Sequence, residues 1–486
     1  MISRTPFFNQ TVIVAGILNL ILSCGLSLGF ISSFLEQNAE RNHLRFSSDV
    51  QKSIEIAGEI AFLPSIVIIP LLMQKKGRKI AIYATTLPLL LSWLISYDTK
   101  NVGTIITVNI LHNVALGGAV ATSSIIISEY CDPNYRATFL MLETAMMSLG
   151  ILISHISGML SCWGLISSVG ILTTLTPLIA TYFSPESPYW LTSQGHIIKA
   201  KECFYNLRGA HESALNELDD LLTTQKRKLQ QMVIKPIRRL NLREKVVDYL
   251  KSLLKADFLK PLSTMILLFS FVGFSGENVV SNYSFRHVFN LANGKYIGTI
   301  ILDVMTLICS LTACVLIQII KRKTLFLFTG SFSLVFLAMT MILLILQSFE
   351  MFAKDYLWLV LSFITGFIMF MSLGTSALPF SILGELFPMS YKGIGSSLTC
   401  AYLWAFGNSI LKWIPTLTAH IGVYGLLLLT LLSMSAILYV VNNVLPETHS
   451  KSLSEINELM KMSNCVVESK LEDNNTFDNL MLFIDV

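Results

Sequence analysis

Charged side chains are scarce in this sequence of 486 residues. Lysine, arginine, aspartate and glutamate make up 14% of the chain, whereas about 25% is typical of soluble domains. Hydrophobic residues make up 53%, and the mean hydropathy is +0.63. A chain of this length would ordinarily form several soluble domains, but so few charges cannot cover their water-facing surfaces. The composition therefore excludes a soluble protein and predicts that lipid surrounds most of the chain.

Motifs of enzymatic chemistry are also missing. The sequence contains no HExxH, GxSxG or Walker-type loop. Its eight cysteines have no spacing typical of a disulfide framework or a zinc site, and its eight histidines are scattered. We therefore expect that the chain is not an enzyme, with no catalytic residues, no metal, no cofactor and no nucleic-acid partner.

Long apolar segments, in contrast, recur along the whole chain. A helix of about 20 apolar residues crosses a bilayer, and twelve segments fit that length. They lie at about 11–33, 55–74, 80–97, 103–127, 138–158, 162–183, 262–283, 297–318, 325–346, 356–380, 393–413 and 421–443. The alternating polarity of barrel strands is absent. The sequence therefore predicts an all-α membrane protein with twelve transmembrane helices.

Lysine and arginine are divided unequally between the connections. If the N-terminus lies inside, the short inner segments hold 13 of these residues and the outer segments hold 8. Because cytoplasmic loops carry the excess of positive charge, both termini are predicted to be cytoplasmic. The polar segment 184–261 has mixed charge and helical spacing, which indicates a cytoplasmic helical linker. It separates an N-terminal half, 1–183, from a C-terminal half, 262–443, and a cytoplasmic tail follows at 444–486.

Charged positions recur between the two halves at nearly one spacing. The offsets are 256, 261 and 244 residues, and they relate Glu129 and Arg136 to Glu385 and Lys392, Glu186 to Glu447, and Arg78 to Arg322. All of these residues fall at predicted cytoplasmic helix ends, so the halves are copies of one six-helix unit. Two such repeats, related by an axis along the membrane normal, form the major facilitator fold, with a substrate site near the midplane.

The repeated charges suggest a mechanism. Carboxylates and basic groups at the inner helix ends can pair within and between the halves, which holds the inner side closed. Exposed pairs contribute only about 0–1 kcal/mol each. A network of them can therefore favour the state with the inner side closed without preventing the two halves from rocking apart. The alternative is that these charges only anchor helix ends at the membrane interface.

Several motifs are specific to one family. The segment 446–456 reads PETHSKSLSEI, 185–191 reads PESPYWL and 275–278 reads SGEN. These resemble the PETxGKSLEEI, PESPRWL and SGIN motifs of sugar porters of the major facilitator superfamily, and the chain is most similar to insect facilitated trehalose transporters. The resemblance covers the whole chain. It implies a facilitative transporter of trehalose or a hexose in the plasma membrane, working by alternating access about a central cavity.

The resemblance also implies a cytoplasmic gate. Its residues are Arg78, Glu129, Arg136, Glu186, Arg322, Glu385, Lys392 and Glu447. The gate has fewer charged residues here than in the family, because the first loop motif lacks its acidic residue. In the second copy of that motif, Gln318 and Ile319 replace an aspartate and an arginine.

The expected substrate-binding residues are fewer than in relatives. A bound sugar needs a polar partner for each hydroxyl taken from water, together with an aromatic face. From the resemblance, the expected substrate-binding residues are Thr144, Glu277, Asn278, Phe380 and Trp404. Several neighbouring amides of the family are lost, since apolar residues or glycine stand at Val272, Gly273 and Leu403. The loss of these amides has three explanations: the substrate is unusual, the affinity for the sugar is low, or the chain is a paralogue that has diverged from the family.

The mode of coupling is a further question. Proton-coupled family members carry an aspartate in helix one, but the matching stretch here, 29–31, reads GFI, which favours uniport. Glu143, Glu277 and Asp303 fall within predicted spans, where an unpartnered charge costs at least about 2.5–3.5 kcal/mol. Each should therefore face a cavity or a partner. A proton-coupled symporter using Glu277 or Asp303 and a transport-incompetent sugar sensor remain alternatives, and the oligomeric state stays open.

Overall fold

The computed structural model describes most of the membrane region and part of the linker. The described residues are 6–40, 48–98, 101–160, 163–234, 251, 253–275, 295–348, 357–389, 391–448, 451 and 455–456. Within these ranges every regular element is a helix, which confirms the all-α prediction.

The helices fall into three groups along the chain. The first six are α1 Pro6–Glu40, α2 Ser48–Lys76, α3 Arg78–Ser96, α4 Val102–Tyr130, α5 Pro133–Met159 and α6 Trp163–Phe183. The linker contains α7 Pro188–Ser193, α8 Ile197–Arg208 and α9 Glu212–Ile234. The second membrane group contains α10 Ala256–Ser275, α11 Lys295–Ile319, α12 Arg322–Ser348, α13 Leu357–Phe370, a π-helical turn Met371–Thr375, α14 Leu378–Leu386 and α15 Lys392–Val444.

Eleven helices of the described part are long and apolar enough to cross a membrane. The predicted spans 393–413 and 421–443 both fall within α15, which runs for 53 residues. Gly422 interrupts α15 with a φ of 69°, a left-handed value that an L-residue with a side chain rarely adopts. The two predicted spans therefore correspond to the two parts of α15, which join at Gly422.

Buried polar side chains connect the apolar helices. In the N-terminal half, the Trp93 indole of α3 donates to the Ser23 hydroxyl of α1 at 2.8 Å, and Ser23 contacts Thr174 of α6 at the same distance. In the C-terminal half, Ser270 of α10 lies 2.6 Å from the Tyr402 hydroxyl of α15. Such bonds between hydroxyl and indole groups hold helices together where lipid gives no hydrophobic driving force.

The linker helices lie at one end of the bundle. Near the start of α1, Asn9 donates to the Asn206 carbonyl at 2.9 Å and Gln10 donates to the Leu207 carbonyl at 2.6 Å. Gln10 also accepts from the Asp132 amide, just beyond the end of α4, at 3.0 Å. We call this end of the molecule the linker side, and the other end the opposite side.

Candidate functional site

The first candidate site lies on the linker side of the N-terminal half. Arg78, at the start of α3, donates to both carboxylate oxygens of Glu129, from Nε at 2.7 Å and from Nη2 at 2.6 Å. The Ser187 hydroxyl donates to the same carboxylate at 2.6 Å. Glu129 and Arg78 are both buried. A bidentate guanidinium–carboxylate pair with an added hydroxyl satisfies most of the polar atoms that burial removes from water.

Glu186 completes this group by binding the start of α3. Its Oε1 accepts from the Arg78 amide at 2.8 Å and its Oε2 from the Lys79 amide at 3.4 Å. The free amides and the positive end of the helix dipole both favour a carboxylate here. Gly77 has a φ of 103°, and a Cβ at this position would lie 2.4 Å from Glu186 Oε2, so the approach requires glycine. We call Arg78, Glu129, Glu186 and Ser187 the N cluster.

The C-terminal half repeats this arrangement. Arg322 pairs with Glu385 through both nitrogens of its guanidinium fork, with Nη2 3.1 Å from Oε1. Glu447 accepts from the Arg322 and Lys323 amides at 3.3 Å each. The Thr448 hydroxyl accepts from Arg322 Nη1 at 3.1 Å. We call Arg322, Glu385, Glu447 and Thr448 the C cluster.

Direct contacts between the halves are close on the linker side. The Ser128 hydroxyl donates to the Gly384 carbonyl at 2.8 Å. A Cβ on Gly384 would lie only 2.3 Å from the Ser124 carbonyl oxygen, so α4 and α14 approach at a distance that only glycine permits. Lys392 Nζ of the C-terminal half lies 3.8 Å from Glu129 Oε1 but makes no hydrogen bond. The linker side is therefore closed in this structure.

Arg136 contacts the linker and is also attracted to Glu385 of the opposite half. Its Nη2 lies 3.6 Å from Glu217 Oε1 of α9. Glu217 also accepts from the Tyr189 hydroxyl and lies 3.8 Å from Arg208. Arg208 in turn lies 3.7 Å from Asp132. This group of buried or nearly buried side chains fastens α7, α8 and α9 to the linker-side ends of α4 and α5.

Burial also controls the chemistry of this linker contact. The pKa of Tyr189 is raised above its ordinary value, first by desolvation and then by the neighbouring Glu217 carboxylate. Tyr189 therefore remains a hydrogen-bond donor at all physiological pH values. The sequence showed α9 to be amphipathic, but Glu217, Tyr189, Arg208 and Asp132 were not predicted to meet.

The predicted substrate-binding residues are only partly described. Thr144 is half-buried on α5, and its hydroxyl donates to the Met141 carbonyl at 2.8 Å, within its own helix. Glu277 and Asn278 lie outside the described residues. The Thr144 hydroxyl therefore uses its proton within α5, and its oxygen can still accept hydrogen bonds from a ligand.

The two predicted aromatic residues are half-buried and contact other rings. Phe380 packs against Phe269 with ring centroids 5.2 Å apart. Trp404 packs against Phe62 at 5.9 Å with an angle of 31° between the rings. Since Phe62 belongs to α2 and Trp404 to α15, the second contact crosses between the halves. Phe380 therefore packs within the C-terminal half, whereas Trp404 lies where the two halves meet.

The carboxylates within the spans differ in their surroundings. Glu143 is buried against Ser123, and its Oε1 has no hydrogen-bond partner. Asp303 lies on α11 and has a partner in His155 of α5, with Oδ2 2.6 Å from Nδ1. Among the described residues, no group of three or more histidine, cysteine, aspartate or glutamate side chains could hold a metal ion.

Sequence comparisons agree over almost the full length of the chain. Residues 12–460 match the family model described as Sugar (and other) transporter. The facilitated trehalose transporter Tret1 of Drosophila erecta is 27% identical over 481 residues, which cover 94% of this chain and 53% of that protein. The facilitated trehalose transporter Tret1-2 homolog of Drosophila simulans is 27% identical over 452 residues, covering 90% of this chain and 88% of the homolog. The chain thus spans about half the length of some of the relatives that it matches.

The fold also resembles a solved transporter structure. The major facilitator proton:xylose symporter XylE, bound to 6-bromo-6-deoxy-D-glucose, has a TM-score of 0.73 to this chain. The match covers 94% of this chain and 99% of that one at 16% identity. At this identity the likeness concerns the fold, and it confirms the predicted major facilitator architecture.

Proposed function

The chain belongs to the sugar transporter family, a group of multi-pass membrane proteins, and from this premise we propose that it carries a sugar across a membrane by alternating access. The main support for the proposal is that the N cluster and the C cluster repeat one arrangement, and that both lie beside an interface that is closed on the linker side. Each half holds its own bidentate arginine–glutamate pair, whereas few polar contacts connect the halves on the linker side. Each half can therefore move as a unit while its own buried charges stay satisfied.

The domain boundaries follow from this mechanism. We propose 1–183 and 262–443 as the two moving halves, 184–261 as the linker and 444–486 as the tail. The eight predicted gate residues form the N and C clusters together with Arg136 and Lys392. Opening on the linker side separates Ser128 from Gly384 and Lys392 from Glu129, and it leaves the pairs within each cluster intact.

The linker side is proposed to face the cytoplasm of a plasma-membrane protein. The excess of lysine and arginine in the segments on that side supports this orientation, since cytoplasmic loops carry it. Both termini are then cytoplasmic. The names of the Drosophila relatives support trehalose as the first sugar to test, with hexoses as the second class.

Substrate contact is proposed for Thr144, Glu277, Asn278, Phe380 and Trp404. Two aromatic rings and a hydroxyl among them provide the mixture of apolar face and polar partners that a sugar requires. Uniport is the proposed mode, because no charged residue occurs between Pro6 and Phe34, the part of α1 that spans the membrane.

Uptake into proteoliposomes tests this proposal. We expect labelled trehalose or glucose to equilibrate with the vesicle interior, faster than in protein-free vesicles and without accumulation when a proton gradient is imposed. Accumulation that collapses with an uncoupler would overturn uniport in favour of a symporter. Measurable sugar binding without flux of any tested sugar would overturn transport and favour a sugar sensor.

A further inference from the structure

The helices α5 and α11 connect the two halves at both ends. α5 of the N-terminal half packs against α11 of the C-terminal half. On the linker side, Gln318 donates to the Thr138 hydroxyl at 3.0 Å. On the opposite side, His155 Nδ1 lies 2.6 Å from Asp303 Oδ2. The linker-side contact is neutral, whereas the contact on the opposite side contains two titratable groups.

Both ring nitrogens of His155 lie within hydrogen-bond distance of a polar partner. Ser32 of α1 lies 3.2 Å from His155 Nε2 and 3.0 Å from the Gly29 carbonyl, to which its hydroxyl donates. A hydroxyl has one proton, so it cannot donate to both atoms at once. If both ring nitrogens carry protons, His155 donates from Nε2 to Ser32 and from Nδ1 to the Asp303 carboxylate, and Ser32 donates to Gly29. With an ionised Asp303, all three contacts are satisfied together only in this state.

Other charges near His155 are few. Of the elements packed against α5, α1 has no charged residue between Pro6 and Phe34, and α6 has none between Trp163 and Phe183. α4 contributes His112, which packs against the Trp93 ring, and Glu129 at the far linker side. α14 contributes Glu385, also on the linker side, and the described side chains of α11 contribute Asp303. Within α5 itself, Arg136 and Glu143 lie nearer the linker side than His155. Asp303 is thus the acidic group in contact with His155.

A second ion pair crosses the halves on the same side. Lys412 of α15 lies 3.5 Å from Glu59 of α2, and the lysine is largely exposed. An exposed pair contributes little, and lysine does not change its charge near neutral pH. His155 and Asp303 are less accessible, with 19% and 16% of their side chains exposed. The His155–Asp303 pair is therefore the stronger of the two contacts, and it contains a histidine, the residue type whose charge changes near physiological pH.

We propose that His155 and Asp303 form a proton-dependent outer gate, which holds the extracellular side closed when His155 is protonated. This inference rests on the proposed function, because it assumes that the halves rock about the α5–α11 contact. Rocking towards the outside separates the ends of α5 and α11 on the opposite side, so the pair must break. The charge-assisted bond from His155 to Asp303 crosses between the halves and is stronger than a neutral one, and protonation therefore favours the closed outer side. Raising the external pH removes the charge and favours outward opening.

Labelling of an introduced cysteine tests this gate without any sugar. Ser148 is half-buried on α5, two helical turns nearer the membrane centre than His155 and on the same face. In cells that express the full chain carrying Ser148→Cys, a membrane-impermeant maleimide is added outside, and the parent chain gives the background. Maleimide reacts with the thiolate, whose fraction itself rises with pH, so every labelling rate is expressed relative to that of free glutathione at the same pH. We expect this relative labelling rate to rise roughly five- to tenfold from about pH 5.5 to about pH 7.5, the range in which histidine as a residue type changes its charge.

Three further variants separate the gate from folding effects. His155→Gln should give fast labelling at both pH values. His420→Gln removes an exposed histidine of α15 and should keep the pH response. The exchanged pair, His155→Asp with Asp303→His, should restore slow labelling at the acidic pH even if a single variant folds poorly. A pH response that persists in His155→Gln, or fast acidic labelling in the exchanged pair, would overturn the gate.

The labelling result is independent of sugar transport. If no sugar is carried but labelling follows pH as expected, the outer gate stands and the proposed function fails. If sugar flux is measured but labelling does not change with pH in the parent Ser148→Cys chain, the outer gate is wrong and transport stands.

Discussion

The N and C clusters share one design but differ in what surrounds them. Each has a bidentate arginine–glutamate pair, and in each a second glutamate binds the start of a helix. In the N-terminal half, Glu129 additionally faces Lys392 of the other half. The reciprocal basic residue, Arg136, is attracted to Glu385 of the other half but forms its ion pair with Glu217 of the linker. The repeat is thus symmetric within each half and asymmetric between the halves.

The two clusters differ in their contacts with the linker and with the opposite half. The N cluster lies next to the docked linker and has Lys392 of the other half 3.8 Å from Glu129. The C cluster has no comparable linker contact among the described residues. We infer that the N-terminal half is the more rigid body on the linker side, and that the C-terminal half moves against it.

Loss of the Glu129 charge should have the largest effect. Glu129→Gln leaves the buried Arg78 without its counter-ion, and breaking a buried pair costs about 3–5 kcal/mol. Glu385→Gln removes the matching charge of the C cluster and is the control. Because Glu129 also accepts from Ser187 and faces Lys392, its variant should unfold at the lower temperature in detergent. Equal unfolding temperatures would show that the two clusters are equivalent.

Removal of the Glu217 charge should have the next largest effect. Glu217→Gln leaves the buried Arg136 and Arg208 with fewer partners, which we expect to weaken linker docking by about 2–3 kcal/mol. Limited proteolysis of the linker should therefore be faster than in the parent chain. Asp219→Asn, an exposed change on the same helix, should leave the proteolysis rate as it is. If both variants are cut equally, the linker is not held through Glu217.

Tyr189→Phe should have a smaller effect, of about 1 kcal/mol, since one hydrogen bond to Glu217 is lost. The raised pKa of Tyr189 favours its neutral form in the folded protein. Its contribution is fully present below the unfolded pKa of about 10 and is lost as the pH rises further. Proteolysis of the parent should accelerate above about pH 10, and Tyr189→Phe should reduce that acceleration. An unchanged alkaline response would exclude Tyr189 as its source.

Lys392→Met should change stability least, by less than about 1 kcal/mol. The buried ammonium group makes no hydrogen bond, and Glu129 keeps its bidentate pair with Arg78 when Lys392 is replaced, so the substitution leaves no unpaired buried charge. Loss of the attraction to Glu129 should nevertheless favour opening on the linker side. A cysteine introduced at Thr138 should then react faster with maleimide applied to inside-out vesicles. Unchanged reactivity would mean that Lys392 does not hold the halves together.

The sequence predicted the local neighbours better than the distant ones. Arg78 and Glu129 were expected near each other because both fall at helix ends on one side and recur as Arg322 and Glu385. The contact of His155 with Asp303 was not predicted, because it depends on how α5 packs against α11, 148 residues further along the chain. Likewise, the amphipathic pattern of α9 indicated a helix but not the residues on which it docks.

Cross-linking of α5 to α11 tests the central claim of alternating access most directly. Thr138 and Gln318 contact each other across the halves on the linker side, so Thr138→Cys with Gln318→Cys places two thiols at that contact. If the halves must separate there, oxidation should reduce sugar flux in proteoliposomes to background, and a reductant should restore it. Each single cysteine variant should be insensitive to oxidation. Full sugar flux through the quantitatively cross-linked protein would contradict alternating access by rocking of the two halves.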